Sequence, residues 1–159
     1  MSKLPTRKQN RLSDYDYSSN GYYHLTICSA DKKNIFSKII RDDLYGYCSE
    51  LTEIGNTVDQ AINDIELHYN TVCVHRYMIM PNHIHLLVSI DRGPFQEKAS
   101  PTVSDVVKGM KTAVTKKLGQ NVFQSSFYDH VVKNEKDLEN VITYIEQNPQ
   151  KWEDDEYYM

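Results

Sequence analysis

Three cysteines, five prolines and six glycines in 159 residues set the first limits on this chain. Cys28, Cys48 and Cys73 are odd in number and scattered, which argues against a disulfide framework and for a reducing compartment. No segment approaches the roughly 20 apolar residues that a membrane-spanning helix needs. The opening MSKLPTRKQNRLSDYDYS is polar and has no apolar stretch of the kind a secretory signal carries. These absences together predict a cytoplasmic globular protein with no membrane partner. Internal repeats, low-complexity runs and linkers are also missing, so one domain is expected over 1–159, with a basic N-terminal arm (1–20) and an acidic tail (153–159).

A basic excess is missing as well. The net charge is −4, a mild argument against a nucleic-acid partner. Its distribution is more informative. Residues 1–13 hold Lys3, Arg7, Lys8 and Arg11 with no acid, and 106–118 hold Lys108, Lys111, Lys116 and Lys117 with no acid. Negative charge gathers at Glu153, Asp154, Asp155 and Glu156. Two local basic patches therefore remain on an acidic protein, and solvated surface lysines are the plainer account of either patch alone.

What is present is a mixed pattern of periods. YYHLTICSA (22–30) alternates and is rich in β-formers, so it reads as a strand. KKNIFSKIIRDDLYGYC (32–48) reads as a loop with a short helical turn. Leu51, Ile54, Val58, Ile62, Ile65 and Tyr69 recur at helical spacing, although Gly55 weakens the start of that helix. TVCVHRYMIM (71–80) and HIHLLVSI (83–90) form a hairpin about Pro81-Asn82, and 91–101 is loop. A helix follows from Thr102, with Ser104 as N-cap and Gly119 as stop. A short extended segment lies in VFQSSFYDHVVK, and a last helix ends at Asn148-Pro149. This order predicts an α+β fold: a ferredoxin-like antiparallel sheet with helices on one face and an added C-terminal helix.

The chemistry begins in MIMPNHIHLLVSI (78–90). Alternation along a strand sends His83, His85, Leu87 and Ser89 one way and Ile84, Leu86, Val88 and Ile90 the other. The apolar set can bury against helices while two imidazoles stand side by side on the opposite face. Such a pair can begin a divalent-metal site, or it can be two half-buried histidines bonded to backbone or water. In the last helix, Leu138, Val141, Ile142 and Ile145 form the apolar stripe. Tyr144 lies beside that stripe and Asn148 follows one turn later. Packed near the histidine face, this helix would offer an amide oxygen to the same ion and a phenol as nucleophile.

MPNHIHLLV and, after it, YDHVVKNEKDLENVITYIEQNPQKW, two motifs in the expected order, closely resemble the IS200/IS605-like single-tyrosine transposases, the His-hydrophobic-His (HUH) class, and RLSDYDYSSNGYYHLTICSADKKNIF resembles that family's opening. The branch resembled most is that of the REP-associated tyrosine transposases, and the resemblance spans roughly residues 7–152. It implies that His83, His85 and Asn148 are metal ligands for Mg²⁺ or Mn²⁺ and that Tyr144 is the nucleophile. It further implies cleavage and rejoining of single-stranded DNA beside a hairpin, through a 5′-phosphotyrosine link and a free 3′-hydroxyl. Arg7, Lys8 and Arg11 of the arm, with Lys108, Lys111, Lys116 and Lys117, become the expected hairpin contacts. Tyr128 and Phe127 are candidate stacking groups, and His130 is expected to make a structural hydrogen bond. In this family the tyrosine helix docks on its own subunit or on a partner's, so a homodimer is an open expectation. A nucleoid-associated location follows when DNA is bound.

Three rivals bear on this reading. A histidine-triad hydrolase lacks its third histidine, because Leu87 stands there. A structural zinc protein lacks cysteines at ligand spacing from the pair. A catalytically silent hairpin-binding protein with the same fold is the remaining alternative.

Overall fold

The computed structural model describes residues 21–91 and 101–159. Arg7, Lys8 and Arg11 lie outside them, as does most of the loop expected at 91–101. The strands are β1 (Gly21–Cys28), β2 (Ser37–Asp42), β3 (Gly46–Leu51), β4 (Val72–Ile79), β5 (His83–Ile90) and β6 (Tyr128–Val131). The helices are α1 (Glu53–Asn63), α2 (Ile65–His68), α3 (Val103–Leu118) and α4 (Glu135–Gln147). A 3₁₀ segment, Pro149–Asp154, continues from α4.

The main sheet runs β4-β5-β1-β6, antiparallel at every junction. With the β2–β3 ribbon set aside, this is the ferredoxin-like strand order, reached by two crossovers that each pass over the sheet. Both crossovers use the same face. Ile84, Leu86, Val88 and Ile90 are at most 1% exposed and form one core with Val58 and Ile62 of α1 and Val106, Val107, Met110 and Val114 of α3. The other face carries a smaller cluster in which Leu87 meets Val141 and Ile145 of α4. Alternation in β5 therefore feeds two cores, one on each side of the sheet.

Three local readings change. Residues 37–51 are a hairpin rather than a loop with a helical turn. Its turn is closed by Asp42, whose Oδ1 accepts from the Leu44 and Tyr45 amides at 2.8 and 3.0 Å, and by Gly46 at φ 76°. The cap of α3 is Thr102, not Ser104: Thr102 and Asp105 bond each other's backbone in a capping box. Gly55, read as a weak point in a helix, is a packing requirement, because a Cβ there would lie 1.9 Å from the Phe36 carbonyl oxygen.

Candidate active site

β5 delivers both imidazoles to the sheet face on which α4 packs. His83 is 0% and His85 1% exposed, and their Nε2 atoms stand 3.1 Å apart. Residues directly opposite in an antiparallel pair share a face, so Thr26 and Met78 flank His85, and Cys28 flanks His83. His24 reaches His85 Nδ1 through its Nε2 at 3.0 Å, and the Thr26 hydroxyl lies 3.3 Å from the same nitrogen.

Asn82 orients His83. Its Nδ2 donates to the carbonyls of Lys32 (3.3 Å) and Tyr157 (2.7 Å), which turns its Oδ1 toward His83 Nδ1 at 2.8 Å. A carbonyl oxygen can only accept, so His83 Nδ1 carries the proton and Nε2 presents its lone pair. His24 and Thr26 can each donate or accept, which leaves His85 free to present its own Nε2 lone pair.

The last helix arrives beside this pair. The Tyr144 ring stands edge-on to His85 at 5.1 Å between centroids and lies 5.9 Å from His24. Tyr144 is 43% exposed, so one side faces the buried imidazoles and the other faces solvent. Asn148 is buried. Its Nδ2 donates back to the Tyr144 carbonyl at 3.3 Å, and among the described residues its Oδ1 has no hydrogen-bond partner. The amide lies close enough to both imidazoles to favour their charged forms. The structure thus brings together His83, His85, Tyr144 and Asn148 within one chain.

Burial decides the protonation of the cluster. It pushes His83 and His24 down to about 4, and it holds His85 well below the usual histidine range, helped by its two histidine neighbours. Burial also raises Tyr144, aided by Asp155 and Glu156 and opposed by Asn148. At neutral pH the site holds neutral imidazoles and a protonated phenol. Two lone-pair nitrogens and an orphaned buried amide oxygen, with no cation among them, form a donor set that fits a divalent metal.

Several residues here were missed in the sequence. After Pro149 the chain folds back over the site: Tyr157 lies against His83 at 4.5 Å between centroids, and Asp155 Oδ2 is 3.7 Å from His83 Nε2. Lys32 places its amine 5.4 Å from the Tyr157 ring centre. His24 sits in a strand whose alternation, Tyr22-His24-Thr26, puts it on the histidine face once β1 is paired with β5. Asp155 gives no local signal, because only the reversal after α4 brings it close.

The lysines of α3 sit elsewhere. α3 packs on the sheet face opposite the imidazoles. Lys108, Lys116 and Lys117 are exposed, whereas Lys111 is half-buried and donates to the carbonyls of Gln124 (2.7 Å) and Ser126 (3.3 Å). Phe127 belongs to the core at 7% exposure, and Tyr128 is 43% exposed on the histidine face, opposite Thr26. His130 Nε2 pairs with Asp137 at 2.8 Å, the structural contact expected of it.

Comparison with known proteins agrees with this architecture. The IS200-like transposase family matches residues 17–148. A Haemophilus influenzae protein of no assigned function is 31% identical, with the match covering 96% of this chain and 93% of that protein. A second protein of that organism, named "Putative REP-associated tyrosine transposase", is 25% identical over 88% of this chain and 77% of its own length. The solved structure of a REP-associated tyrosine transposase bound to a REP hairpin superposes with a TM-score of 0.63 at 20% identity, covering 88% of this chain and 74% of that one. The chain belongs to the IS200-like transposase family.

Proposed function

We propose that this protein is a single-tyrosine transposase that nicks and rejoins single-stranded DNA beside a hairpin. The observation that carries this reading is the placement of Tyr144 edge-on to His85, with Asn148 buried beside the imidazole pair. The Tyr144 oxygen attacks a backbone phosphorus, and its proton leaves as the new O–P bond forms. The bond from phosphorus to the 3′ oxygen breaks and that oxygen departs as a hydroxyl, leaving the DNA joined to Tyr144 through a 5′-phosphate. Attack by another 3′-hydroxyl reverses these steps and joins strands, so the phosphodiester is conserved without water or nucleotide. His83, His85 and Asn148 would hold Mg²⁺ or Mn²⁺, whose chemistry here is neutralising charge on the phosphate oxygens.

Asn82, His24 and Thr26 keep the two Nε2 lone pairs directed inward, and Leu87, Val141 and Ile145 lock α4 against the sheet. Tyr128 offers an exposed face on the same side of the sheet for stacking an unpaired base. Exposed Lys108, Lys116 and Lys117, with Arg7, Lys8 and Arg11, would contact hairpin phosphates, and binding would weaken with salt. The packing of Tyr144 against His85 of the same chain supports action of the tyrosine on its own subunit's site.

Hairpin binding without cleavage is the second reading, favoured by Tyr157 and Asp155 packed on His83. The test offers Mn²⁺ and a labelled single-stranded hairpin to the wild type and to Tyr144→Phe. A denaturation-resistant protein–DNA adduct in the wild type alone supports cleavage. Retention of the hairpin with no adduct selects the second reading.

A further inference from the structure

We propose that Asp155 is an additional, anionic ligand of this metal site, delivered by the turn that follows α4; this rests on the metal-dependent reading above. His83, His85 and Asn148 are all uncharged donors, whereas Mg²⁺ and Mn²⁺ favour oxygen and negative charge. Asp155 supplies both. Its side chain is 4% exposed, and among the described residues its one ion-pair contact is His83.

The contact with His83 is not a salt bridge in substance. At 3.7 Å it is too long for a hydrogen bond. It also meets the Nε2 side of the ring, since Asn82 takes the proton at Nδ1. A carboxylate oxygen therefore faces a nitrogen lone pair inside the protein, an arrangement that a cation between them would make favourable. The Oδ1 of Asp155 is already engaged by the Tyr157 amide at 2.8 Å, which leaves Oδ2 for a metal.

Spacing supports the same conclusion. Donors about 2.1 Å from an octahedral ion stand about 3 Å apart when adjacent. His83 Nε2 and His85 Nε2 are 3.1 Å apart, and the donor atoms of His83, His85 and Asp155 all lie within 4.8 Å of one another. The Asn148 amide bears on both imidazoles and offers an oxygen without a partner among the described residues as a fourth donor.

The turn is built rather than loose. The Tyr157 carbonyl accepts from Asn82 at 2.7 Å, and the Asp155 amide donates to the Trp152 carbonyl at 3.0 Å. Trp152 is 9% exposed, and Gln150 brackets Tyr47 of β3 with bonds of 3.0 and 2.6 Å. Asn82 thus holds the histidine and the turn that carries the carboxylate at once.

The test is Mn²⁺ binding to the full chain without DNA, read by the loss of the free-ion paramagnetic resonance signal. Wild type, Asp155→Asn and Glu153→Gln are compared, with melting of each metal-free protein as the folding control. Asp155→Asn is expected to weaken Mn²⁺ binding at least about tenfold while its metal-free melting temperature stays equal or rises, because an uncompensated buried charge is removed. Glu153→Gln, which removes an exposed charge from the same turn, is expected to bind as wild type. Wild-type affinity in Asp155→Asn overturns the assignment, and so does a wild type that binds no Mn²⁺. Because the readout involves no DNA, a wild type that binds Mn²⁺ through Asp155 yet forms no adduct would contradict only the transesterase chemistry.

Discussion

Acid is expected to unfold this protein through its buried imidazoles well before its carboxylates matter. An unfolded histidine takes a proton near pH 6.5. In the fold, His24 and His83 do so only near 4, and burial with two histidine neighbours also holds His85 well below the usual histidine range. Between these limits the unfolded chain binds more protons than the native one, so stability falls as pH falls. His24 and His83 each contribute about 1.4 kcal/mol per pH unit, hence about 2 kcal/mol between pH 6.5 and 5 and roughly 4 kcal/mol together, with His85 adding in the same direction. That is a large share of the roughly 5–15 kcal/mol by which a domain is stable. Asp155, raised by burial, gains stability as pH falls and offsets part of the loss. Asp137, held down by the Lys133 amide and His130, loses stability only below the usual carboxylate range. The assay is urea unfolding of the metal-free protein at about pH 7, 6 and 5. His24→Asn is expected to make the pH slope shallower. A wild-type stability that is flat across this window would refute the reasoning, as would an unchanged slope in His24→Asn.

Three further outcomes follow from the packing. Gly55→Ala gains about 1 kcal/mol of helix propensity, yet its Cβ would meet the Phe36 carbonyl at 1.9 Å, so a net loss of about 1–3 kcal/mol is expected in denaturant unfolding. Ile145→Ala, which empties the 1%-exposed position between α4 and Leu87, is expected to cost about 2–5 kcal/mol and to lower adduct yield, whereas exposed Thr143→Ala stays within about 0.5 kcal/mol. Mixing His85→Ala with Tyr144→Phe is expected to restore no adduct, since each Tyr144 lies against its own chain's His85; restored adduct would show that the tyrosine helix exchanges between subunits.

Legibility in the sequence followed the range of the interactions. β1, β4, β5, α3 and α4 were readable because burial on one face writes a period into the chain, as in Ile84, Leu86, Val88 and Ile90. The β2–β3 ribbon was not, because Ile39 and Ile40 are adjacent and the strand is largely exposed, so no alternation marks it. The histidine pair and the Tyr144–Asn148 spacing are local patterns and could be paired by inference. Asn82 could be read only as a turn residue, since its role depends on where Lys32 and Tyr157 place their carbonyls. Asp155 stood in the acidic tail at 153–159 with nothing to single it out, and only the reversal after Pro149 turns it inward. Lys111 looked like its neighbours, yet its position on α3 commits it to two backbone carbonyls.

The most direct test of the central claim is to locate the DNA on the protein. After reaction with Mn²⁺ and a single-stranded hairpin substrate, nuclease trimming and proteolysis leave a nucleotide remnant whose position mass spectrometry can assign among the twelve tyrosines. The account predicts a 5′-phosphonucleotide on Tyr144 and nowhere else. A remnant on Tyr157 or another residue, or cleaved DNA with no protein-linked remnant, would contradict it.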